Sequence, residues 1–115
     1  MSDRELLEFA AKAAGIHVPT KKDYPWAYID ESGIFRDISC AGDGSRMSRW
    51  NPITDDGDAL RLAVKCKIDV VQFSLLVRAD VAGLPDVREP YNGVPLAATR
   101  RAIVRAAAEI GRQMP

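Results

Sequence analysis

The segment that decides the fold is Trp50–Lys67, WNPITDDGDALRLAVKCK, in which a turn leads into an amphipathic helix. Pro52 keeps Asn51 out of helical geometry, because a proline ring clashes with a helical residue before it. Thr54 or Asp55 then caps a helix that starts near Asp55 and runs to about Lys67. The apolar face predicted for this helix consists of Ala59, Leu60, Leu62, Ala63, Val64 and Cys66.

Two more helices are predicted near the ends of the sequence. Ser2 and Glu5 form a capping box, after which apolar residues recur at helical spacing as far as Gly15, a residue suited to a left-handed helix end. Pro95 suits the first turn of a third helix, which runs to about Arg112. The buried stripe predicted for this third helix is Leu96, Ile103, Ala107, Ile110 and Met114.

A hairpin is predicted between the first two helices. The strands Trp26–Ile29 and Ile34–Ile38 flank the loop Asp30-Glu31-Ser32-Gly33, whose glycine tolerates positive φ. In the second strand Arg36 shares a face with Ile34, so the alternation of apolar and polar residues is imperfect. Trp26 and Trp50 are expected to pack in the core or at its edge.

The segment Asp69–Asp80, DVVQFSLLVRAD, is rich in residues that favour β-structure. It is predicted to form two strands, Val70–Phe73 and Leu75–Ala79, or one long bent strand, because no turn residue separates them clearly. Glycine and proline content predicts loops for Cys40–Arg49 and Ala82–Val94.

The predicted order of elements is α-β-β-α-β(β)-α, in a single domain of residues 1–115. Strands that are close in sequence favour antiparallel pairing, and three amphipathic helices are available to cover the sheet. The sequence therefore predicts an α+β fold in which helices pack on an antiparallel sheet, similar to an α-β-α sandwich.

Composition narrows the function classes. Lysine plus arginine equals aspartate plus glutamate at 16 each, so no global positive field attracts the chain to nucleic acid or to an anionic membrane. The N-terminus, MSDRELLEF, is acidic and amphipathic rather than a secretory signal, and no apolar stretch is long enough for a transmembrane helix. We therefore expect a protein of a bacterial-type cytosol, with Cys40 and Cys66 both reduced.

The acidic cluster of Asp55, Asp56 and Asp58 allows two interpretations. A calcium loop that began at Asp55 would need a bidentate glutamate at its twelfth position, where this sequence has Cys66. Helix capping and favourable charge at the helix N-terminus are therefore the preferred explanation. A Mg²⁺-dependent hydrolase is the weakest of the alternatives. His17, Cys40 and Cys66 lack the paired spacing of a zinc site, so no metal or cofactor is expected.

The arginines of the third helix are the best binding candidates in the sequence: Arg100, Arg101, Arg105 and Arg112. Such a stripe can bind phosphates or an acidic protein surface. The favoured alternative is a solvated face with Arg105–Glu109 and Glu109–Arg112 pairs. Tyr91, in the predicted long loop, is a candidate contact residue. No aromatic residues alternate with the stripe, which argues against single-stranded nucleic acid as the partner.

Three segments carry a resemblance to a known family: MSDRELLEFAAKAAGI, WNPITDDGDALRLAVKCKIDV and ATRRAIVRAAAEIGRQM. Together they cover about half of the sequence, which resembles the phage ABA-sandwich domain family of small bacteriophage and prophage proteins. Cys66-Lys67 stands where that family pattern has an apolar residue and a glycine or similar. The resemblance implies helices packed on a sheet and a phage genome context, and it implies no catalytic residues. It marks a signature, for folding or for binding, of Trp50, Asn51, Pro52, Thr54, Asp55, Asp56 and Asp58.

Two functions follow as expectations. The first is a non-enzymatic phage accessory protein that binds a host or phage macromolecule, such as a component of an antiviral defence system. The second is a binder of a small anionic ligand, such as a nucleotide, that uses the arginines of the third helix together with Tyr91. Both a monomer and a homodimer are compatible with the sequence.

Overall fold

The structure, a computed structural model, describes residues 1–20, 27–37 and 47–115. These residues form three helices and six strands, so the predicted α+β class with antiparallel strands is confirmed. Trp26, Ile38 and Cys40, for which predictions were made, lie outside the described residues. In chain order the elements are α1 (Asp3–Ala14), β1 (Tyr28–Asp30), β2 (Gly33–Asp37), β3 (Met47–Trp50), α2 (Asp56–Cys66), β4 (Asp69–Gln72), β5 (Leu76–Asp80), β6 (Val87–Pro90) and α3 (Pro95–Gln113).

The predicted helix ends are confirmed. The Ser2 hydroxyl accepts a hydrogen bond from the Glu5 amide at 3.2 Å, and Gly15 ends α1 in left-handed geometry with a φ of 73°. Of the two candidate caps for α2, Asp55 is the one used: its carboxylate accepts from the Asp58 amide at 2.8 Å. Lys67 ends α2 in left-handed geometry with a φ of 56°, a conformation usually taken by glycine.

The strands divide between two three-stranded antiparallel sheets rather than forming one. The first sheet has the order β1-β2-β3 and the second the order β4-β5-β6. The segment after α2 forms two strands, which settles the alternative left open by the sequence. A tight turn joins them, closed by a hydrogen bond from the Phe73 amide to the Leu76 carbonyl at 2.9 Å.

Two segments predicted to be loops contain strands, so those predictions were wrong at residues 47–49 and 87–90, while residues 40–46 lie outside the described part of the chain. β3 occupies the end of the predicted loop Cys40–Arg49, and β6 lies inside the predicted loop Ala82–Val94. Both are edge strands, in which pairing to a neighbour on one side outweighs the weak β-propensity of the residues themselves. An edge position also accommodates Pro90, whose missing N–H costs no ladder bond when that side faces outward.

The longest helix, α3, packs against α1, α2, β5 and β6. Its predicted stripe is confirmed at Ile103 and Ala107, which are buried, and was wrong at Leu96 and Met114, which are exposed. Those two residues lie at the ends of α3, beyond the elements that cover its middle. On α2, Leu60 and Val64 are 66% and 71% exposed, so its buried face is narrower than predicted. No helix in the described part of the chain is both long and apolar enough to cross a membrane.

Candidate functional site

A cleft of about 490 Å³ lies between α2, the first sheet and the segment that follows α1. Its size falls within the range of about 300–1,000 Å³ that is typical of small-molecule sites. The lining residues come from all three elements: Ala14, Ile16, Arg36, Ser48, Arg49, Trp50, Asp58, Arg61, Leu62 and Lys65.

One face of α2 forms a wall of the cleft. Residues 58, 61, 62 and 65 are three, four and seven positions apart, the spacing that places side chains on one face of a helix. Leu62 is buried, whereas Arg61 and Lys65 are exposed and line the mouth of the cleft. The α2 face therefore presents apolar surface at depth and positive charge at the opening.

The first sheet contributes a deeper cation. Cross-strand pairing sets Ile34 opposite Trp50 and Arg36 opposite Ser48, and these four residues share the face toward the helices. Ile34 and Trp50 are buried, so Arg36 is a charged residue on a largely apolar face. Alternation along β3 places the Arg49 side chain on the opposite face of the sheet. Arg49 therefore belongs to the cleft wall, but we do not count its charge as lying within the cleft.

Arg36 is partly buried, and one nitrogen of its guanidinium has no hydrogen-bond partner among the described residues. Its Nε atom is buried and has no hydrogen-bond partner in the structure as described. An unsatisfied buried donor on a charged group is costly, since the lost hydration is not replaced. Apart from Arg36 and Arg49, every arginine of the described ranges contacts a carboxylate, namely Arg4, Arg61, Arg78, Arg88, Arg100, Arg101, Arg105 and Arg112.

A hydrogen-bonded junction at Asn51 joins the sheet to α2. Asn51 is 2% exposed, and its side chain donates to the Ser32 carbonyl at 2.8 Å and accepts from the Ile53 amide at 3.0 Å. Its backbone amide donates to Asp58 at 3.0 Å. Asp58 also accepts from Arg61 at 2.8 Å. The sequence signature around Trp50 therefore connects, through Asp58, to a cation at the mouth of the cleft.

The acidic cluster forms internal contacts that agree with the capping interpretation. Asp55 caps α2, and Asp58 bonds Asn51 and Arg61. Asp56 pairs with Arg100 at 2.6 Å. In the described part of the chain no group of three or more histidine, cysteine or acidic residues is arranged to hold a metal ion.

The arginines of α3 do not form one open stripe, because their partners lie on different elements. Arg100 bonds Asp56 and the Ile53 carbonyl, and so ties α3 to the start of α2. Arg101 and Arg105 both reach Glu89, at 3.5 and 3.1 Å. Arg112 pairs with Glu109 at 3.1 Å, as one of the predicted pairs requires. The predicted Arg105–Glu109 pair is replaced, because Arg105 instead donates to Glu89 of β6 and to the Arg88 carbonyl.

Tyr91 is half-buried and forms part of the structure that joins the second sheet to α3. Its hydroxyl donates to the Gln72 side chain at 2.8 Å, and Gln72 in turn donates to Thr99. Tyr91 and Arg101 do line one shallow hollow of about 260 Å³. The structure therefore brings together these two candidates, while Arg100 and Arg112 lie elsewhere.

Sequence reasoning missed the residues that form the cleft. Arg61 and Lys65 carry no motif, and their relation to Arg36 depends on how α2 packs against the first sheet. One signal was available: Arg36 shares a strand face with Ile34, and a charged residue on an apolar strand face is a candidate for function. Searches with this sequence and structure find no matching protein family, curated protein or solved structure.

Proposed function

We propose that this protein binds a small anionic ligand in the cleft between α2 and the first sheet. The observation that carries the proposal is the buried Nε of Arg36, which has no partner in the described residues although it lines that cleft. An anion in the cleft would pair with the exposed part of this guanidinium, which contacts no carboxylate of the described residues.

The charge of the cleft favours an anion of the phosphate class. Arg36, Arg61 and Lys65 contribute three cations, against the single carboxylate of Asp58. Asp58 already bonds the Asn51 amide, so it neutralises the cations only in part and also fixes the position of Arg61. A planar guanidinium matches two oxygens of a phosphate, and Lys65 adds a point charge at the opening.

The lining side chains equip the cleft for binding rather than for a reaction. They supply positive charge, one hydroxyl at Ser48, the apolar surface of Trp50 and Leu62, and the Asp58 carboxylate, which already bonds Asn51 and Arg61. The proposed function is therefore non-enzymatic, and it replaces the arginines of α3 by Arg36, Arg61 and Lys65 as the residues that hold the anion.

Titration calorimetry with pyrophosphate tests this proposal. Arg36→Ala is expected to weaken binding at least about tenfold, because a charge-assisted hydrogen bond is lost. Arg112→Ala is the matched control, since it removes the same charge from an arginine of α3 that does not line the cleft, and its affinity should stay within about twofold of wild type. Equal losses in the two variants, or no binding of pyrophosphate to the wild-type protein, would refute the proposal.

The second candidate function is that of a phage accessory protein that binds a protein of the host cytosol. The observation that favours it is an apolar hollow of about 370 Å³ at the β4–β5 turn, where Phe73 and Leu75 are exposed. Arg78 and Arg88 line the same hollow. The partner that fits is a protein surface with an apolar side chain flanked by carboxylates.

A pair of aspartate substitutions tests the second candidate. Leu75→Asp places a charge at the hollow, and Leu60→Asp is the control at a similarly exposed leucine of α2. A host protein that binds the wild type and the Leu60 variant, and not the Leu75 variant, would support it. Light scattering that shows a dimer dependent on Leu75 would instead assign the hollow to a second copy of this chain, and equal capture by all three proteins would exclude the hollow as the interface.

A further inference from the structure

The cleft is too large for a simple inorganic anion. Its volume of about 490 Å³ lies in the range of sites that enclose small organic molecules. One phosphate group held by Arg36 would fill only a small part of that space. The remaining wall then decides which chemical class of ligand the cleft accepts.

Part of the apolar wall comes from a different element than the cations, although Leu62 and Trp50 share α2 and the first sheet with them. The cations come from β2 and α2, as Arg36, Arg61 and Lys65. The segment at the end of α1 contributes only the apolar side chains of Ala14 and Ile16. Both are half-buried, so each retains surface that a ligand can cover.

From this separation we infer that the ligand is an organic anion with a compact apolar group, such as a single ring. This inference rests on the proposed anion-binding function. The anionic group contacts Arg36 and the two cations of α2, while the apolar group packs on Ala14 and Ile16. Trp50 and Leu62 close the cleft beneath the ligand with apolar surface.

The size of the expected preference follows from buried surface. A ring that removes roughly 60 Å² of apolar surface from water gains about tenfold in affinity. The cleft should therefore bind an aryl phosphate at least about tenfold more tightly than inorganic phosphate. A cleft that only holds an anion would show no such difference.

Titration calorimetry with inorganic phosphate and with phenyl phosphate tests the inference on the full-length protein. The expected result is a tenfold preference for phenyl phosphate, largely lost in Ile16→Ser, with the affinity for inorganic phosphate unchanged in that variant. Val18→Ser is the control, because Val18 is a half-buried residue of the same segment that does not line the cleft. Thermal melts establish that both variants are folded.

The outcomes separate this inference from the function on which it rests. If both anions bind the wild-type protein with equal affinity, the apolar wall has no role and the inference is wrong, while anion binding stands. If Ile16→Ser and Val18→Ser reduce the preference equally, contact with Ile16 is refuted as its source. If neither anion binds, the proposed function and the inference fail together.

Discussion

Replacing Gly111 by alanine tests the close packing of α1 on α3. An added Cβ at Gly111 would lie 2.7 Å from the carbonyl carbon of Phe9 and closer still to its oxygen. Because carbon atoms pack best at about 3.5–4.0 Å, α1 would have to move away from α3 by roughly 1 Å. Overpacking of this kind costs about 3 kcal/mol, the upper end of the usual range, because backbone atoms cannot change rotamer to relieve it.

The net effect follows from two opposing terms. Alanine gains about 1 kcal/mol over glycine in helix propensity, so we expect Gly111→Ala to lower the free energy of unfolding by about 2 kcal/mol. For a chain of this size that corresponds to a fall in Tm of about 8 °C. Urea unfolding followed by circular dichroism measures the free energy, and differential scanning calorimetry measures the Tm.

Gly57 supplies the matched control, since it is also a helical glycine without positive φ. A Cβ at Gly57 would meet only side-chain atoms, the Arg61 guanidinium nitrogens at 3.1 and 3.2 Å and an Asp55 carboxylate oxygen at 3.3 Å. Gly57→Ala should therefore be neutral or stabilising by about 0.5 kcal/mol. If Gly111→Ala is as stable as Gly57→Ala, the packing of α1 on α3 described above is wrong.

Three further predictions address the junction, the ion pairs and the thiol. Asn51→Ala should lower the free energy of unfolding by about 2–3 kcal/mol in urea titrations, because the Ser32 carbonyl and the Ile53 amide lose their partners. A loss below about 0.5 kcal/mol would show that the Asn51 hydrogen bonds do not stabilise the connection between the sheet and α2. Glu89→Gln should cost about 1 kcal/mol by the same assay, since two half-exposed arginines lose their carboxylate; an unchanged stability would show that these pairs are fully screened. Burial raises the pKa of the Cys66 thiol. In a Cys40→Ser variant, iodoacetamide alkylation should therefore reach half its maximal rate at higher pH in the folded protein than in urea, and a lower folded midpoint would disprove the burial.

Local signals accounted for the parts of the fold that the sequence predicted well. Helix ends depend on residues within one turn, and the caps at Ser2, Gly15 and Asp55 all lie where their chemistry predicts. The hairpin of β1 and β2 is also local, but its predicted four-residue loop was wrong: Asp30 and Gly33 pair across the strands, and only Glu31 and Ser32 form the turn. Each of these features is determined before distant parts of the chain meet.

Features that depend on contacts between distant segments were missed. β3 has a polar sequence, Met-Ser-Arg-Trp, and becomes a strand only because β2 pairs with it. The division of the strands into two sheets depends on how the helices pack against each sheet. No short sequence pattern carries that information. The exposure of Leu60 and Val64 has the same origin, because only the neighbours of α2 decide how wide its buried face is.

The candidate site shows the same division between local and distant information. A stripe of arginines on α3 is visible in the sequence, yet Glu89 and Asp56 from other elements neutralise three of its four members. Arg36 pairs with no carboxylate of the described residues, and no sequence motif marks it. The spacing of arginines along a helix therefore shows where the positive charges lie. It does not show which of these charges will pair with a carboxylate from another element of the fold.

Asp58 connects the two explanations offered for the signature around Trp50, folding and binding, because one carboxylate serves both. One of its carboxylate oxygens accepts from the Asn51 amide, where the chain leaves the sheet, and the other accepts from Arg61 at the cleft. The Asp58 side chain is 14% exposed, and its bond to the Asn51 amide holds the carboxylate in place for Arg61, which is 71% exposed. Under the proposed function, the turn that starts α2 therefore also fixes the orientation of a cation at the mouth of the cleft.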